Sequence, residues 1–228
     1  MLVKFGMIIT DGRNKLGGHV LSKNRGGSYA RTKVTPINPQ SSYQSNVRQR
    51  FTTLSQAWRG LTQDQRDAWN GAVANFQRTN IFGDLKSPSG FNLYQRLNNV
   101  LLSTSSATIN FPPLPAAVPD CHIAGLLVTV ATPSVSILMN ETVPADTKIK
   151  VFATPPLSPG KSFVKNMFRL IAILDSAETS PYDALAEYTA KYGSVGEIGQ
   201  RITFKTLAVN TTTGQEGTPA EYFVITSV

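Results

Sequence analysis

Residues 42–76 read SYQSNVRQRFTTLSQAWRGLTQDQRDAWNGAVANF, and this stretch carries the clearest periodic pattern in the chain. Five apolar residues recur there at helical spacing along one face: Tyr43, Val47, Phe51, Leu54 and Trp58. Gly60 interrupts the pattern, and Thr62-Gln63-Asp64-Gln65 has the form of a capping box, which opens a helix. The stretch therefore predicts two helices joined by a short turn, with Ser41 or Ser42 capping the first.

The two tryptophans of the chain, Trp58 and Trp69, lie on opposite sides of this turn. Antiparallel helices joined by a short turn bring such residues together, so we expect the two rings to pack on each other. Tyr43, Phe51 and Leu54 are expected to pack along the same apolar face. These five residues are the predicted packing residues of a helical hairpin.

A third helix is predicted between residues 91 and 101, where apolar residues again recur at helical spacing. The helical region as a whole spans residues 38–108. Two helices that meet at a short turn also resemble a DNA-binding helix-turn-helix. Asp64 and Asp67 fall where the second helix of that motif would approach phosphates, and their charge favours a packed hairpin instead.

The first fifty residues carry the whole net charge of the chain. They contain nine Lys or Arg residues and one acid, a balance of +8, and the full chain is also +8. Within residues 1–37, three β-prone runs at 2–10, 17–23 and 28–35 are separated by glycine-containing turns. They predict an extended basic β-arm. Strands this short bury too little surface to be stable alone, so the arm needs a partner surface.

The cations of this arm lie beside an aromatic residue. Alternation in the third run places Tyr29, Arg31 and Lys33 on one face, and Lys23 and Arg25 lie at the preceding turn. Such a patch suits phosphate contact and base stacking. It also suits docking on acidic surfaces of neighbouring subunits while the backbone adds strands to their sheets, and the alternating β-prone character favours this second interpretation. The predicted partner-binding residues are Arg13, Lys15, Lys23, Arg25, Tyr29, Arg31 and Lys33.

The C-terminal half is rich in β-type segments. Four prolines between residues 112 and 119 form a stiff linker. Val-, Ile-, Thr- and Phe-rich segments follow at about 123–131, 134–140, 147–154, 167–174, 201–209 and 221–227. One helix is predicted at about 180–193, with Ser180 as cap, Pro181 at its first position and Gly193 at its end. This pattern predicts an immunoglobulin-like β-sandwich over residues 109–228.

The sequence contains no recognisable catalytic or metal-binding motif. Cys121 is the only cysteine, so no intrachain disulfide can form. Cys121 and His122 are neighbours without the spacing of metal ligands, no phosphate-binding loop is present, and the carboxylates form no evident catalytic pair. No apolar run reaches the roughly 18 residues that span a membrane, and the N-terminal apolar stretch is too short for a secretion signal. We therefore predict a non-enzymatic protein without cofactor, metal or membrane partner.

One part of the sequence is similar to a known group. The residues that carry the similarity are Gly12-Arg13, Gly17-Gly18-His19-Val20, Asn24-Arg25-Gly26-Gly27-Ser28-Tyr29-Ala30-Arg31, Pro36-Ile37-Asn38-Pro39, Gln44, Arg48, Trp58-Arg59-Gly60-Leu61-Thr62 and Gln65-Arg66-Asp67-Ala68-Trp69. Over about residues 12–75 the chain resembles small virion structural proteins of tailed bacteriophages, including crAss-like phages. The resemblance implies a virion component of auxiliary capsid or head–tail type, made in the host cytoplasm. It implies no catalytic residues.

These observations lead to one expected function and two alternatives. The expected function is an auxiliary or cementing virion subunit whose N-terminal arm laces into neighbours, namely major capsid or connector subunits and copies of itself. The first alternative is a genome-contacting protein that binds nucleic acid with the same arm. The second is a carbohydrate-binding adhesin, but its sandwich lacks an aromatic platform, because Tyr182, Tyr188 and Tyr192 fall on the predicted helix.

Overall fold

The computed structural model describes residues 1–4, 6, 12–24, 27–119 and 122–228, and the chain is of the α+β class. Those residues form four α-helices, one short 3-10 helix and four antiparallel sheets. The prediction of a mixed helical and β architecture is confirmed at this level.

A three-stranded antiparallel sheet forms near the N-terminus, and we call it the N-terminal sheet. Its strands, in spatial order, are β1 (Asn14–Leu16), β2 (His19–Asn24) and β3 (Gly27–Thr32). Gly17 lies in the tight turn between β1 and β2 with a φ of 57°, a conformation that glycine adopts without strain. Leu2 forms an isolated antiparallel bridge with Tyr29 of β3. Residues 5 and 7–10 of the predicted first run lie outside the described residues.

The predicted helical hairpin is present. It consists of α1 (Ser42–Gly60) and α2 (Gln63–Ala72), and a 3-10 helix (Val73–Phe76) continues α2. The side chain of Ser41 caps α1 by accepting the Gln44 N–H. At the start of α2, the Thr62 hydroxyl accepts the Gln65 N–H while the Gln65 side chain accepts the Thr62 N–H. The capping box is confirmed, because both of its hydrogen bonds involve residues close in sequence.

A small hairpin and the third helix complete the helical region. The hairpin strands are β4 (Arg78–Thr79) and β5 (Leu85–Lys86), and α3 (Gly90–Ser103) follows at the predicted position. Trp58 and Trp69 each pack on Tyr94 of α3, with ring centroids 5.3 and 5.4 Å apart. The sequence predicted a direct contact between the two tryptophans. The structure corrects this, because the third helix inserts its aromatic ring at the closed end of the hairpin.

Two further antiparallel sheets form the C-terminal unit. Their strands are β6 (Ile123–Thr129), β7 (Ser134–Met139), β8 (Thr147–Ala153), β9 (Arg169–Leu174), β10 (Tyr182–Asp183), β11 (Arg201–Asn210) and β12 (Ala220–Ile225). One sheet has the order β10-β7-β6 and the other the order β12-β11-β8-β9. Buried side chains of both sheets share one hydrophobic core, which includes Val135, Ile137, Ile149, Ile202 and Phe204.

The helix of the C-terminal unit begins later than the sequence predicted. It is α4 (Leu185–Tyr192), and Ala184 precedes it without a side-chain cap. The predicted cap, Ser180, instead accepts the N–H of Met139 through its hydroxyl. Tyr182–Asp183 pairs with β7, and this pairing holds the backbone extended where a first helical turn was expected. The end of the helix at Gly193 is confirmed, with a φ of 84°.

The helical region packs directly on the C-terminal unit. The indole N–H of Trp69 donates to the Asn110 carbonyl at 2.8 Å, and Lys148 of β8 donates to the Thr104 carbonyl at 3.0 Å. Gly214 has a φ of 69°, and a β-carbon there would collide with the Leu97 carbonyl of α3. Glycine adopts this positive φ without strain and has no β-carbon, so it allows the two segments to approach this closely.

Candidate functional site

The N-terminal sheet has regular strands but no core. Among residues 1–40, no side chain that the structure describes is buried. The β2–β3 pairing nevertheless runs in continuous register from His19↔Thr32 to Asn24↔Gly27. Backbone hydrogen bonds therefore organise this sheet, and none of its described side chains is buried.

The strand register brings several predicted binding residues to one face. Lys15 pairs with Val20, and Val20 pairs with Arg31, so these three form a row across the sheet. Tyr29 lies in the next row on the same face, opposite Ser22. A cation from each outer strand and one aromatic ring thus share a single surface. Lys15 and Arg31 are exposed and Tyr29 is partly buried.

An open hollow of about 470 Å³ lies against this sheet. Arg13 and Arg31 are both among the residues that line it, together with the polar side chains of Ser22 and Asn24. Two guanidinium groups around one concavity can bind a phosphate or a carboxylate through paired hydrogen bonds. This hollow therefore has a cationic lining.

The remaining predicted residues of the arm are placed differently, although Lys23 is also among the residues that line the hollow. Lys23 pairs with Ser28 and so points to the opposite face from Arg31. Lys33 follows the end of β3, is exposed, and its N–H donates to the Gly18 carbonyl at 2.8 Å. Arg25 lies outside the described residues. The structure therefore divides the cations over both faces instead of gathering all of them on one.

The N-terminal segment contacts the helical region at the β4–β5 hairpin. The Lys4 ammonium lies 3.2 Å from an Asp84 carboxylate oxygen and 5.1 Å from the centre of the Phe82 ring. A side-chain hydrogen bond from Asn80, with a further one from Lys4, lowers the pKa of Asp84. Both partners of the ion pair are substantially exposed, and exposed pairs contribute little to stability. This contact is a weak anchor between the segment and the body.

The predicted packing residues of α1 and α2 separate into two groups. Leu54 and Trp69 are buried in the helical core, and Trp58 packs against it. Tyr43 is 70% exposed and Phe51 is 47% exposed, so both lie outside that core. The core covers only the C-terminal half of α1. The sequence periodicity correctly identified the apolar face of the helix. It did not show that no other described element covers the N-terminal half of this face.

The exposed half of this face lines a groove that sequence reasoning missed. The groove has a volume of about 700 Å³ and lies between α1, α3 and the part of the C-terminal unit around Lys150 and Glu216. The sequence signal was the helical stripe that begins at Tyr43, but only the structure shows that its first turns remain uncovered.

Three tyrosines of the C-terminal unit donate hydrogen bonds through their hydroxyls: Tyr188 is buried, and Tyr182 and Tyr192 are partly buried. The hydroxyl of Tyr188 donates to the Thr154 carbonyl at 2.9 Å, and that of Tyr192 donates to the Ala153 carbonyl. Burial raises the pKa of Tyr188 well above its ordinary value. Burial, with a hydrogen bond to Glu187 as the next cause, raises the pKa of Tyr182 to about 12. These groups are structural donors, held protonated by their surroundings.

The structure shows no arrangement suited to metal binding in the part of the chain that it describes. No group of three His, Cys, Asp or Glu residues comes together there. Cys121, half of the pair considered from the sequence, lies outside the described residues. None of the described helices is both long and apolar enough to cross a membrane.

Comparisons with protein-family models, with curated proteins and with solved structures found no match to this chain.

Proposed function

We propose that this protein is a non-enzymatic structural subunit of a phage virion, of auxiliary capsid or head–tail type. The observation that carries the proposal is the N-terminal sheet, which has a full strand ladder and no buried side chain among its described residues. Short strands without a core are stabilised when a partner surface covers one face or extends one edge. We propose that neighbouring virion subunits, including copies of this chain, supply that surface.

The chemistry of the exposed face supports a protein partner. Val20 lies in the row of Lys15 and Arg31, and the neighbouring row contains Leu2 and Tyr29, so both rows contribute apolar or aromatic surface. An aromatic anchor surrounded by cations is typical of protein interfaces, where Tyr and Arg are enriched. Acidic surfaces on the partner would pair with the two cations and fix the orientation of the sheet.

The strand order of the C-terminal unit supports the immunoglobulin-like part of the proposal. Of its seven strands, the first, second and fifth form one sheet, and the third, fourth, sixth and seventh form the other. Immunoglobulin-like domains place strands A, B and E in one sheet and strands C, F and G in the other. Here β6, β7 and β10 match the first set, β8, β11 and β12 match the second, and β9 is an added strand beside β8. A parallel bridge between Thr129 and Ser227 also joins the end of the first strand to the residues after the last. We propose that this unit is the accessory module that faces outward on the particle.

The alternative function is a genome contact through the same sheet. The hollow lined by Arg13 and Arg31 favours it, because paired guanidinium groups bind phosphate, and Tyr29 offers a stacking surface nearby. Salt dependence separates the two functions. Binding to nucleic acid would weaken steeply with salt, by a slope of about 0.9 for each phosphate neutralised on duplex DNA. Binding to a protein surface that also buries Tyr29 would show a shallower slope.

Deletion of residues 1–37 tests the proposed function. The described residues in this range contribute no buried side chain, so we expect a folded protein with nearly unchanged thermal stability. We also expect it to be lost from virions purified by sedimentation, as measured by mass spectrometry. The matched control keeps the chain and replaces Arg13, Lys15, Arg31 and Lys33 by Gln. If the deleted form joins the particle at full occupancy, the proposed role of this region is wrong.

A further inference from the structure

The groove between α1 and α3 has an apolar floor that no described part of the chain covers. Val47 and Phe51 of α1 line it together with Phe91 and Val100 of α3. Tyr43, at its open end, is 70% exposed. Covering apolar surface of this kind is favourable in proportion to the area removed from water. The groove is therefore suited to an additional chain segment with apolar side chains.

The groove also contains buried hydrogen-bond acceptors. Gln95 Oε1 and Asn99 Oδ1 have no hydrogen-bond partner among the residues that the structure describes. Gln95 is only 6% exposed, and its amide nitrogen donates to the Ser55 hydroxyl at 2.9 Å. Since buried polar atoms are normally paired, an occupant with N–H donors would satisfy these two oxygens once a small rotation of each amide turns them toward the groove. An extended peptide backbone carries such donors along its length.

The charged residues of the groove are largely engaged within the chain. The Lys150 ammonium lies 3.3 Å from Glu216, and the guanidinium carbon of Arg96 lies 5.5 Å from the centre of the Phe76 ring. Burial lowers the pKa of Arg96. Arg50 is the other cation on the lining. An uncharged occupant is therefore compatible with the groove, because it neither breaks these contacts nor adds a buried charge.

The segment just before α1 has the matching properties. Residues 34–40 read VTPINPQ, carry no charge and are exposed along their whole length. Val34 is 70% exposed and Ile37 is 90% exposed, so neither side chain is covered within the single chain. Pro36 and Pro39 favour an extended backbone, which lowers the entropic cost of binding. The segment thus offers apolar side chains and the backbone N–H groups of its non-proline residues, and it carries no charge.

We propose that the groove between α1 and α3 binds residues 34–40 of a second copy of this chain. The inference rests on the proposed function, because it names the surface that receives the N-terminal region of a neighbouring subunit. Segment and groove belong to the same chain, so every copy both donates and receives. Reciprocal exchange would give a closed dimer, and head-to-tail exchange would give a ring or a row of subunits.

Cross-linking between two full-length variants tests this pairing. In a Cys121→Ser background, one variant carries Thr35→Cys and the other carries Asn92→Cys at the exposed rim of the groove, with different affinity tags. A short bismaleimide should form the mixed dimer about tenfold faster than for the control pair, because bound segments have a high effective concentration. The control pair is Thr35→Cys with Phe163→Cys, because Phe163 is 68% exposed and is not among the residues that line the groove. Equal rates for both pairs would overturn the proposal.

Competitor peptides identify the occupant. An unlabelled peptide of residues 33–41 should slow the mixed cross-link, and the same peptide with Val34→Asp and Ile37→Asp should not. A third peptide carries Thr35→Glu, Asn38→Glu and Gln40→Glu. If this acidic peptide competes better than the native sequence, the groove receives an acidic segment of another protein and the proposal is wrong.

The result can be separated from that of the proposed function. Equal cross-linking rates, together with loss of the 1–37 deletion from virions, would show that the N-terminal region binds some other surface. Retention of the deletion in virions would contradict the proposed function whatever the cross-linking gives. Gln95→Met gives a further check on the groove itself, because it removes the buried acceptor at similar volume and should slow the mixed cross-link.

Discussion

The N-terminal sheet and the C-terminal unit contain similar antiparallel ladders, but only the C-terminal unit has a core. Strand β3 reads GSYART and has no buried residue, whereas β11 reads RITFKTLAVN and buries Ile202, Phe204 and Val209 completely. Backbone pairing alone therefore does not distinguish the two regions. The burial of alternate side chains does, because burial is the dominant favourable term in folding.

The difference indicates a division of roles. The C-terminal unit and the helical region stabilise the fold, since their buried residues form the two hydrophobic clusters. The N-terminal sheet adds no buried residue to either cluster, and the segment before it contacts the helical region through an exposed ion pair between Lys4 and Asp84. Regions of this kind open at low free-energy cost and are suited to binding that remodels or covers them.

The largest expected effect is on the C-terminal core. Phe204 is fully buried and packs against the ring of Tyr188, with centroids 6.1 Å apart. Phe204→Ala should lower the free energy of unfolding by about 3–5 kcal/mol, measured by urea unfolding followed by far-UV circular dichroism. Phe223→Ala, on the neighbouring strand at 60% exposure, is the matched control and should cost much less. Similar losses for both variants would mean that the two sheets do not enclose a common core.

A smaller effect is expected from alkaline pH. The pKa of Tyr182 is raised to about 12 from an unfolded value near 10, so the folded state holds this proton more tightly. Its contribution to stability is complete below the unfolded pKa and is lost as pH rises through the folded pKa. Urea midpoints should therefore fall between about pH 10 and about pH 12. Tyr182→Phe should make this fall shallower; an unchanged slope would contradict the assignment.

The smallest effect on stability is expected in the N-terminal sheet. Tyr29→Ala removes the aromatic ring of this sheet and should change the free energy of unfolding of the whole protein by no more than about 0.5 kcal/mol. The fluorescence of the two tryptophans, both in the helical region, provides a second probe of unfolding. The same substitution should reduce the amount of protein in purified virions. A large loss of stability would show that the N-terminal sheet is part of the core structure.

Much of the local structure could be predicted from the sequence. The capping box at Thr62, the cap at Ser41 and the helix end at Gly193 depend on hydrogen bonds within four residues. Six strands of the C-terminal unit were also predicted close to their observed positions, because Val-, Ile- and Thr-rich runs between turn residues are strong signals. In each case the interactions that define the element lie close together in the chain.

Other features depended on contacts between distant residues. The sequence predicted that Trp58 and Trp69 meet, but Tyr94 of α3 contacts both rings. It also placed Ser180 and Pro181 at the start of a helix, but pairing with β7 keeps the next residues extended. A periodic pattern shows which face of an element is apolar. It does not show which other element will cover that face or compete for its backbone hydrogen bonds.

The sequence by itself determined the local elements and the concentration of positive charge near the N-terminus. The tertiary structure alone decided which of these elements have a core. It left Tyr43 and Phe51 outside the helical core and aligned Lys15, Val20 and Arg31 in one row of the N-terminal sheet. The physical reason is that caps and charge are properties of neighbouring residues, whereas burial and strand register arise only when segments far apart in sequence pack together.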